Sequence, residues 1–167
     1  ATLRLNRPSW NVIEGDLFKF DGTPYQGIDL LAGGIPCPPF SKAGKQLGRA
    51  DERNLFPEVI RLVDECHPRA VMIENVRGLL DAVFADYRSH ICTQLRHRGY
   101  LPEWMLLNAS DFGVSQLRPR VVLVAIKAEW AEHFSPPISS GDRPPTVGKV
   151  LYNQMAERGW KYVEQWR

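Results

Sequence analysis

Short apolar runs alternate with helical patterns along the first two thirds of the chain, and this order constrains the fold more than any other feature. The apolar runs Ile28–Ala32 and Ala70–Ile73 have the length and bounding residues of buried strands. Between them, apolar residues recur at three- and four-residue spacing from Phe56 to Cys66, which predicts a helix. Asn54 can cap this helix, and Pro68 follows its end. An α/β sheet is the expected result.

The next elements extend this sheet and then reverse it. A second helix is predicted over Val83–Arg98, with Gly99 as its C-terminal signal. Leu101–Leu107 and Val121–Lys127 are predicted strands, and the short polar segment between them cannot hold a crossover helix. We therefore expect a mostly parallel sheet with one antiparallel edge strand and helices on both faces. Val12–Leu17 is predicted to be a short strand end followed by a turn.

Composition excludes several classes of protein. The 167 residues are enough for one domain with its own core, and a net charge of only +2 gives no overall field for nucleic acid. No apolar run is long enough for a membrane span or a secretion signal. The cysteines are odd in number and widely spaced, which fits a reducing cytoplasm. The four histidines lack zinc-ligand spacing, so no metal is expected.

Cys37 lies between Pro36 and Pro38, just after the first predicted strand. Prolines fix the backbone and remove amide donors, so the thiol is expected on a stiff loop at a strand end. Doubly wound sheets place their chemistry at such ends. Two interpretations stay open at this point: a catalytic thiol, or an inert buried cysteine in a turn.

Two further polar groups occur at strand ends. Glu74 follows the second apolar run, and it is either a functional carboxylate or an exposed loop residue or helix cap. Gln116, Arg118 and Arg120 precede the last strand, where alternation would place all three on one side. They form either a fork of donors for a phosphate or carbonyl oxygen, or a solvated edge strand.

These segments resemble the signature motifs of the cytosine carbon-5 DNA methyltransferases. The matching segments, in that family's order and spacing, are Gly33–Ser41, Glu74–Val76 and Gln116–Arg120. Asp51–Phe56 resembles a fourth motif, and Gly15–Leu17 a weaker fifth. The resemblance implies a partial Rossmann-like methyltransferase fold. Pro38 departs from the family pattern, in which glutamine often follows the cysteine.

The resemblance implies a catalytic role for four side chains. Cys37 would add to carbon 6 of cytosine, so that carbon 5 can accept a methyl group. Glu74 would bond the ring nitrogen and the exocyclic amine. Arg120, with Arg118, would hold the base carbonyl and the neighbouring DNA backbone.

The resemblance also implies S-adenosylmethionine as cofactor. Its expected contacts are Asp16, Leu17, Pro36 and Leu55. Asn75 and Gln116 would brace the catalytic loops. Ser41 and Lys45 would contact DNA, although ordinary solvated loop charge is the alternative for Lys45.

The family's glycine-rich cofactor motif is not found in this sequence, so the chain is expected to be a central fragment with weak or no activity alone. We expect a catalytic core over residues 1–134, a linker rich in proline and serine over 135–146, and the start of a target-recognition region over 147–167.

The expected partner is double-stranded DNA with a flipped cytosine, in a prokaryotic cytoplasm at the nucleoid, together with a cognate restriction endonuclease. The alternatives are methylation of cytosine in RNA and a catalytically silent binding scaffold on the same fold. A cysteine hydrolase is disfavoured because no histidine is placed as its base.

Overall fold

The computed structural model describes residues 2–36, 54–139, 141 and 143–166, and these residues form one four-stranded sheet. The strands are β1 (Leu30–Gly34), β2 (Ala70–Val76), β3 (Tyr100–Asn108) and β4 (Pro119–Lys127). Their order across the sheet is β1-β2-β4-β3. β1 is parallel to β2, whereas β4 is antiparallel to both β2 and β3. The predicted α/β class is therefore confirmed, with one strand reversed in a mostly parallel sheet.

The reversed strand lies one position in from the edge of the sheet. β3 follows β2 through a helical crossover and therefore runs in the direction of β2. The short connection from Asn108 to Pro119 then returns the chain along β3, and β4 occupies the space between β3 and β2. The expected hairpin is confirmed, but its first strand rather than its second forms the edge.

Helices lie on both faces, in unequal measure. α2 (Phe56–Cys66) and α3 (Ala85–His97) contribute to the same core as Val71 and Ile73 of β2, so both pack on one face. The two crossovers run in the same direction across the sheet, and right-handed connections then place both helices on one side. On the opposite face a 3₁₀ helix, Ala128–His133, packs against β3 and β4.

The N-cap position of α2 is Leu55 rather than the predicted Asn54, but Asn54, one position earlier, still bonds the first amide of the helix. Its Oδ1 accepts a hydrogen bond from Phe56 N at 3.2 Å, and its Nδ2 donates to Tyr87 Oη at 2.6 Å, which ties α2 to α3. At the other end, His67 takes a left-handed conformation (φ 46°) immediately before Pro68. The second helix starts later than predicted, because Ala82–Phe84 forms a separate 3₁₀ turn before α3.

The expected strand end at Val12–Leu17 is wrong. Asp16 Oδ1 accepts a hydrogen bond from Phe18 N at 3.1 Å and caps a 3₁₀ helix at Leu17–Lys19. Side chains of aspartate compete in this way with extended structure by bonding the backbone two residues on.

One further helix lies near each end of the chain: α1 (Thr2–Asn6) and α4 (Val147–Glu157). Thr146 Oγ1 caps α4 by accepting a hydrogen bond from Lys149 N at 3.2 Å. The division into core, linker and recognition region remains a prediction. Within the described residues, no helix has the length and apolar character needed to cross a membrane, and no cluster of three or more histidine, cysteine, aspartate or glutamate side chains could hold a metal ion.

Candidate active site

Glu74 and Arg120 contact each other at the end of the sheet that is formed by the C-termini of the parallel strands. In the β2–β4 ladder Glu74 is opposite Val122 and Val76 is opposite Arg120, so Glu74 and Arg120 are diagonal neighbours on one face. Arg120 Nε lies 2.6 Å from Glu74 Oε1. The register of the two strands thus brings together an acidic and a basic side chain that are far apart in sequence.

This contact is an ion pair rather than a straight hydrogen bond. The Nε–H of Arg120 is not directed at the carboxylate and has no hydrogen-bond acceptor among the described residues, although the atom is buried. Nη1 of the same guanidinium donates to Pro119 O at 2.9 Å. Both side chains stay partly exposed, at 26% for Arg120 and 38% for Glu74, so the carboxylate remains open to a ligand.

Gly34 of β1 is the direct neighbour of Glu74 in the sheet. A Cβ at Gly34 would lie 3.4 Å from Glu74 Oε2, so the carboxylate lies close to this glycine. A cleft of about 480 Å³ opens on this face of the sheet, lined by Ala32, Gly33, Gly34, Met72, Glu74 and Val122. Cys37 follows Gly34 by three positions in the sequence and lies outside the described residues.

Asn75 faces the opposite side of β2 and is fully buried. Its Oδ1 accepts a hydrogen bond from Val76 N at 2.8 Å. Its Nδ2 is buried and has no partner among the described residues. A buried amide donor of this kind costs free energy unless it is paired, so Asn75 is poised to bond a neighbouring polar group.

Arg118 and Gln116 lie before β4, which begins at Pro119, so strand alternation does not extend to them. Arg118 N donates to Asn108 Oδ1 at 3.0 Å, and Gln116 N donates to Val114 O at 2.8 Å. Both residues are exposed. Of the predicted fork, only Arg120 therefore contacts Glu74.

The expected cofactor residues fall into separate places. Asp16 and Leu17 line a cleft of about 500 Å³ together with Ile13, Gly15, Lys19 and Phe20. An acceptor oxygen beside apolar side chains fits an adenine ring with its amino group. Leu55 is at the N-terminus of α2 and packs against the core, and Pro36 is exposed just after β1; neither lines this cleft.

The remaining expected contacts, Ser41 and Lys45, lie outside the described residues. Arg61, Glu65 and Gly22 were not identified from the sequence, although they hold the segment that carries Asp16. Arg61 Nη2 donates to Leu17 O at 2.9 Å, and Glu65 Oε2 accepts from Gly22 N at 2.7 Å. Charges at helical spacing place Arg61 and Glu65 on one face of α2, but no local pattern indicates which backbone they reach.

The sequence matches one family and several relatives. The sequence model for C-5 cytosine-specific DNA methylases matches residues 1–166. The Type II methyltransferase M.NgoMIV of Neisseria gonorrhoeae is 60% identical over 166 residues, which are 99% of this chain and 53% of that protein. The Type II methyltransferase M.NaeI of Lentzea aerocolonigenes is 51% identical, over 99% of this chain and 41% of its own length. The chain thus spans about half the length of these curated relatives.

Solved structures agree with this assignment at the level of fold. A DNA modification methyltransferase encoded within a prophage of E. coli superposes with a TM-score of 0.55 at 25% identity, covering 76% of this chain and 35% of that one. The Entamoeba histolytica methyltransferase EhMeth gives a TM-score of 0.61 at 14% identity, covering 85% of this chain and 45% of its own. The latter likeness concerns the fold alone.

Proposed function

Since this chain belongs to the family of C-5 cytosine-specific DNA methylases, we propose that its protein transfers a methyl group from S-adenosylmethionine to carbon 5 of cytosine in DNA. The observation that carries the proposal is the Glu74–Arg120 pair, next to the strand that leads to Cys37. An acidic acceptor and a guanidinium on one sheet face match the polar edge of a cytosine, which presents a ring nitrogen, an amine and a carbonyl.

In the proposed reaction, the Cys37 thiolate forms a bond to carbon 6 of the base. As the sulfur adds, one oxygen of Glu74 gives a proton to the ring nitrogen, which takes up the displaced electron pair, and the other oxygen accepts a hydrogen bond from the exocyclic amine. Carbon 5 becomes nucleophilic, receives the methyl group and loses its proton as the sulfur–carbon bond breaks. A free cysteine thiol has a pKa of about 8.5, so this chemistry needs the thiol to be activated at neutral pH.

The other residues position the substrate. Arg120 and Arg118 hold the base carbonyl and the adjacent backbone, while Asn75 and Gln116 brace the catalytic loops. Ser41 and Lys45 contact DNA phosphates. The cytosine must leave the duplex to reach the carboxylate, because a stacked base does not expose carbon 6 to a side chain.

S-adenosylmethionine supplies an electrophilic methyl group when bound. Asp16 accepts a hydrogen bond from the adenine amine, and Leu17, Pro36 and Leu55 provide apolar contacts. Pro36 and Leu55 do not line the Asp16 cleft, so in this proposal they contact a different part of the cofactor.

The proposal extends to organisation and partners. Residues 1–134 form part of the catalytic core, 135–146 a linker, and 147–167 the start of a target-recognition region. The relatives named Type II methyltransferases support a restriction–modification role. We propose in addition a cognate endonuclease as partner and the nucleoid, in the cytoplasm, as the place of action.

The test replaces Cys37 with serine in the protein expressed from its complete reading frame. Cys37→Ser is expected to abolish transfer of labelled methyl groups to duplex DNA and to leave DNA association unchanged. Cys92→Ser is the matched control, because Cys92 is buried and a serine oxygen can still accept the hydrogen bond from Trp104 Nε1. Methylation by Cys37→Ser at the wild-type rate would overturn the assignment, and transfer to RNA but not to DNA would overturn the substrate.

A further inference from the structure

Arg61 connects helix α2 to the turn that carries Asp16. Its Nη2 donates to Leu17 O at 2.9 Å, and its Nη1 donates to Phe20 O at 3.0 Å. Both carbonyls belong to the segment around the 3₁₀ helix Leu17–Lys19, which Asp16 caps. One guanidinium therefore fixes both ends of the turn whose first residue is the adenine-binding candidate.

Two glutamates on α2 hold this guanidinium in place. Arg61 Nε donates to Glu58 Oε2 at 2.7 Å, and Nη1 donates to Glu65 Oε1 at 2.6 Å. The hydrogen bond from Arg61 and then the bond from the Gly22 amide hold the pKa of the Glu65 carboxyl below its usual value. A planar group with several fixed donors can serve four acceptors at once, which an ammonium group on a flexible stem cannot do.

The same stretch of α2 fixes the segment after the turn. Glu65 Oε2 accepts a hydrogen bond from Gly22 N at 2.7 Å, Cys66 Sγ donates to Gly22 O at 3.3 Å, and Cys66 O accepts from Gly27 N at 2.7 Å. A Cβ on Gly22 would lie 2.8 Å from Cys66 Sγ and 2.9 Å from Glu65 Oε2. The backbone approaches the helix so closely that a side chain at position 22 would displace the side chains of Cys66 and Glu65.

These contacts make α2 a rigid link between two candidate cofactor contacts. Leu55 stands at the start of the helix, and Arg61 to Cys66 hold the Asp16 segment at its other end. We propose that Arg61 and Glu65 are positioning residues, which set the place of Asp16 and Leu17 for the adenosine portion of S-adenosylmethionine. This inference rests on the function proposed above.

The test measures cofactor binding directly, by calorimetric titration with S-adenosylmethionine and with S-adenosylhomocysteine, on the protein from its complete reading frame. Arg61→Lys keeps the charge but cannot hold both carbonyls and both carboxylates. It is expected to weaken binding of both ligands by about 10-fold, the size of effect typical for hydrogen bonds to a charged group. KM for the cofactor rises in parallel, whereas kcat at saturating cofactor changes by less than about 2-fold, because Arg61 is remote from the reacting atoms.

Arg98→Lys is the control for a purely structural effect. Arg98, at the C-terminal end of α3, joins that helix to Asp64 of α2. Its Nε and Nη2 donate hydrogen bonds to the Asp64 carboxylate at 2.6 and 2.7 Å, and it makes no bond to residues 16–22. It should lower the melting temperature as Arg61→Lys does and leave cofactor affinity within about 2-fold of the wild type.

Glu65→Gln is the second variant, and it is used where Arg61→Lys does not fold. It retains an acceptor for the Gly22 amide but loses the charge that orients Arg61, and it should weaken cofactor binding in the same direction. If Arg61→Lys and Glu65→Gln destabilise the protein yet bind cofactor as the wild type does, the positioning role is wrong. If the wild type itself binds no S-adenosylmethionine, it is the proposed function that fails.

Discussion

Arg120 Nε and Glu74 Oε1 are 2.6 Å apart across two antiparallel strands, where the parallel strands of the sheet end. Each of these side chains neutralises the other in the absence of a ligand. In the proposed function, a cytosine that offers an amine to the carboxylate and a carbonyl to the guanidinium replaces this contact and leaves both groups hydrogen-bonded. Because the two side chains contact each other, we predict that the effects of their substitutions are not additive.

Glu74→Gln should reduce the rate of methyl transfer by about 100-fold or more, because an amide cannot transfer a proton to the ring nitrogen as the sulfur adds to carbon 6. The measurement is single-turnover methylation of a duplex at saturating cofactor. Glu103→Gln is the matched control, since Glu103 is an exposed glutamate on the same face of the sheet, in β3. Equal losses in the two variants, or no loss in Glu74→Gln, would contradict the assigned role.

Leu95→Ala should lower the free energy of unfolding by about 2–5 kcal/mol, because Leu95 is completely buried between α3 and the sheet and its removal leaves a cavity. Urea unfolding monitored by tryptophan fluorescence measures the change. Arg96→Ala, an exposed position on the same turn of helix, should stay within about 0.5 kcal/mol of the wild type. A small effect at Leu95 would show that the core is packed differently.

The hydroxyl of Tyr100 should remain protonated at pH values at which an ordinary tyrosine is already ionised. Burial, and then the nearby charges of Asp64 and Cys66, raise its pKa from 10.0 to about 12, and its hydroxyl donates to Pro68 O at 2.6 Å. A raised pKa in the folded state means that the contribution to stability is complete below pH 10 and is lost as the pH rises towards 12.

Ultraviolet titration of tyrosinate absorbance tests this expectation. Tyr100→Phe should remove an ionisation in the most alkaline part of the curve. A titration in which Tyr100→Phe removes a group ionising near pH 10 would contradict the buried environment of Tyr100.

The spacing of apolar and polar residues predicted those helices and strands that depend on residues close together in the sequence. The apolar spacing gave the bounds of α2, and the gap between β3 and β4 was too short for anything except an antiparallel return. Asp16 shows where such reasoning ends. Its side chain bonds Phe18 N and turns the chain into a 3₁₀ helix at Leu17–Lys19, and the preceding apolar segment, where a strand end was expected, forms no strand.

Contacts between distant segments could not be predicted in the same way. Glu74 and Arg120 were both identified, but their pairing depends on the register of β2 against β4. Arg61 gave no signal of its function, because its acceptors are backbone carbonyls more than forty residues earlier. Register and backbone acceptors are properties of the assembled sheet and helix, which local spacing does not encode.

Covalent trapping tests the central claim most directly. In DNA containing 5-fluorocytosine, fluorine takes the place of the proton that must leave carbon 5, so an adduct with the enzyme cannot be released by elimination. We predict that the full-length protein, with S-adenosylmethionine, forms a stable complex in which mass spectrometry maps the modified peptide to Cys37. Absence of an adduct under conditions of DNA binding, or an adduct at another residue, would contradict the account.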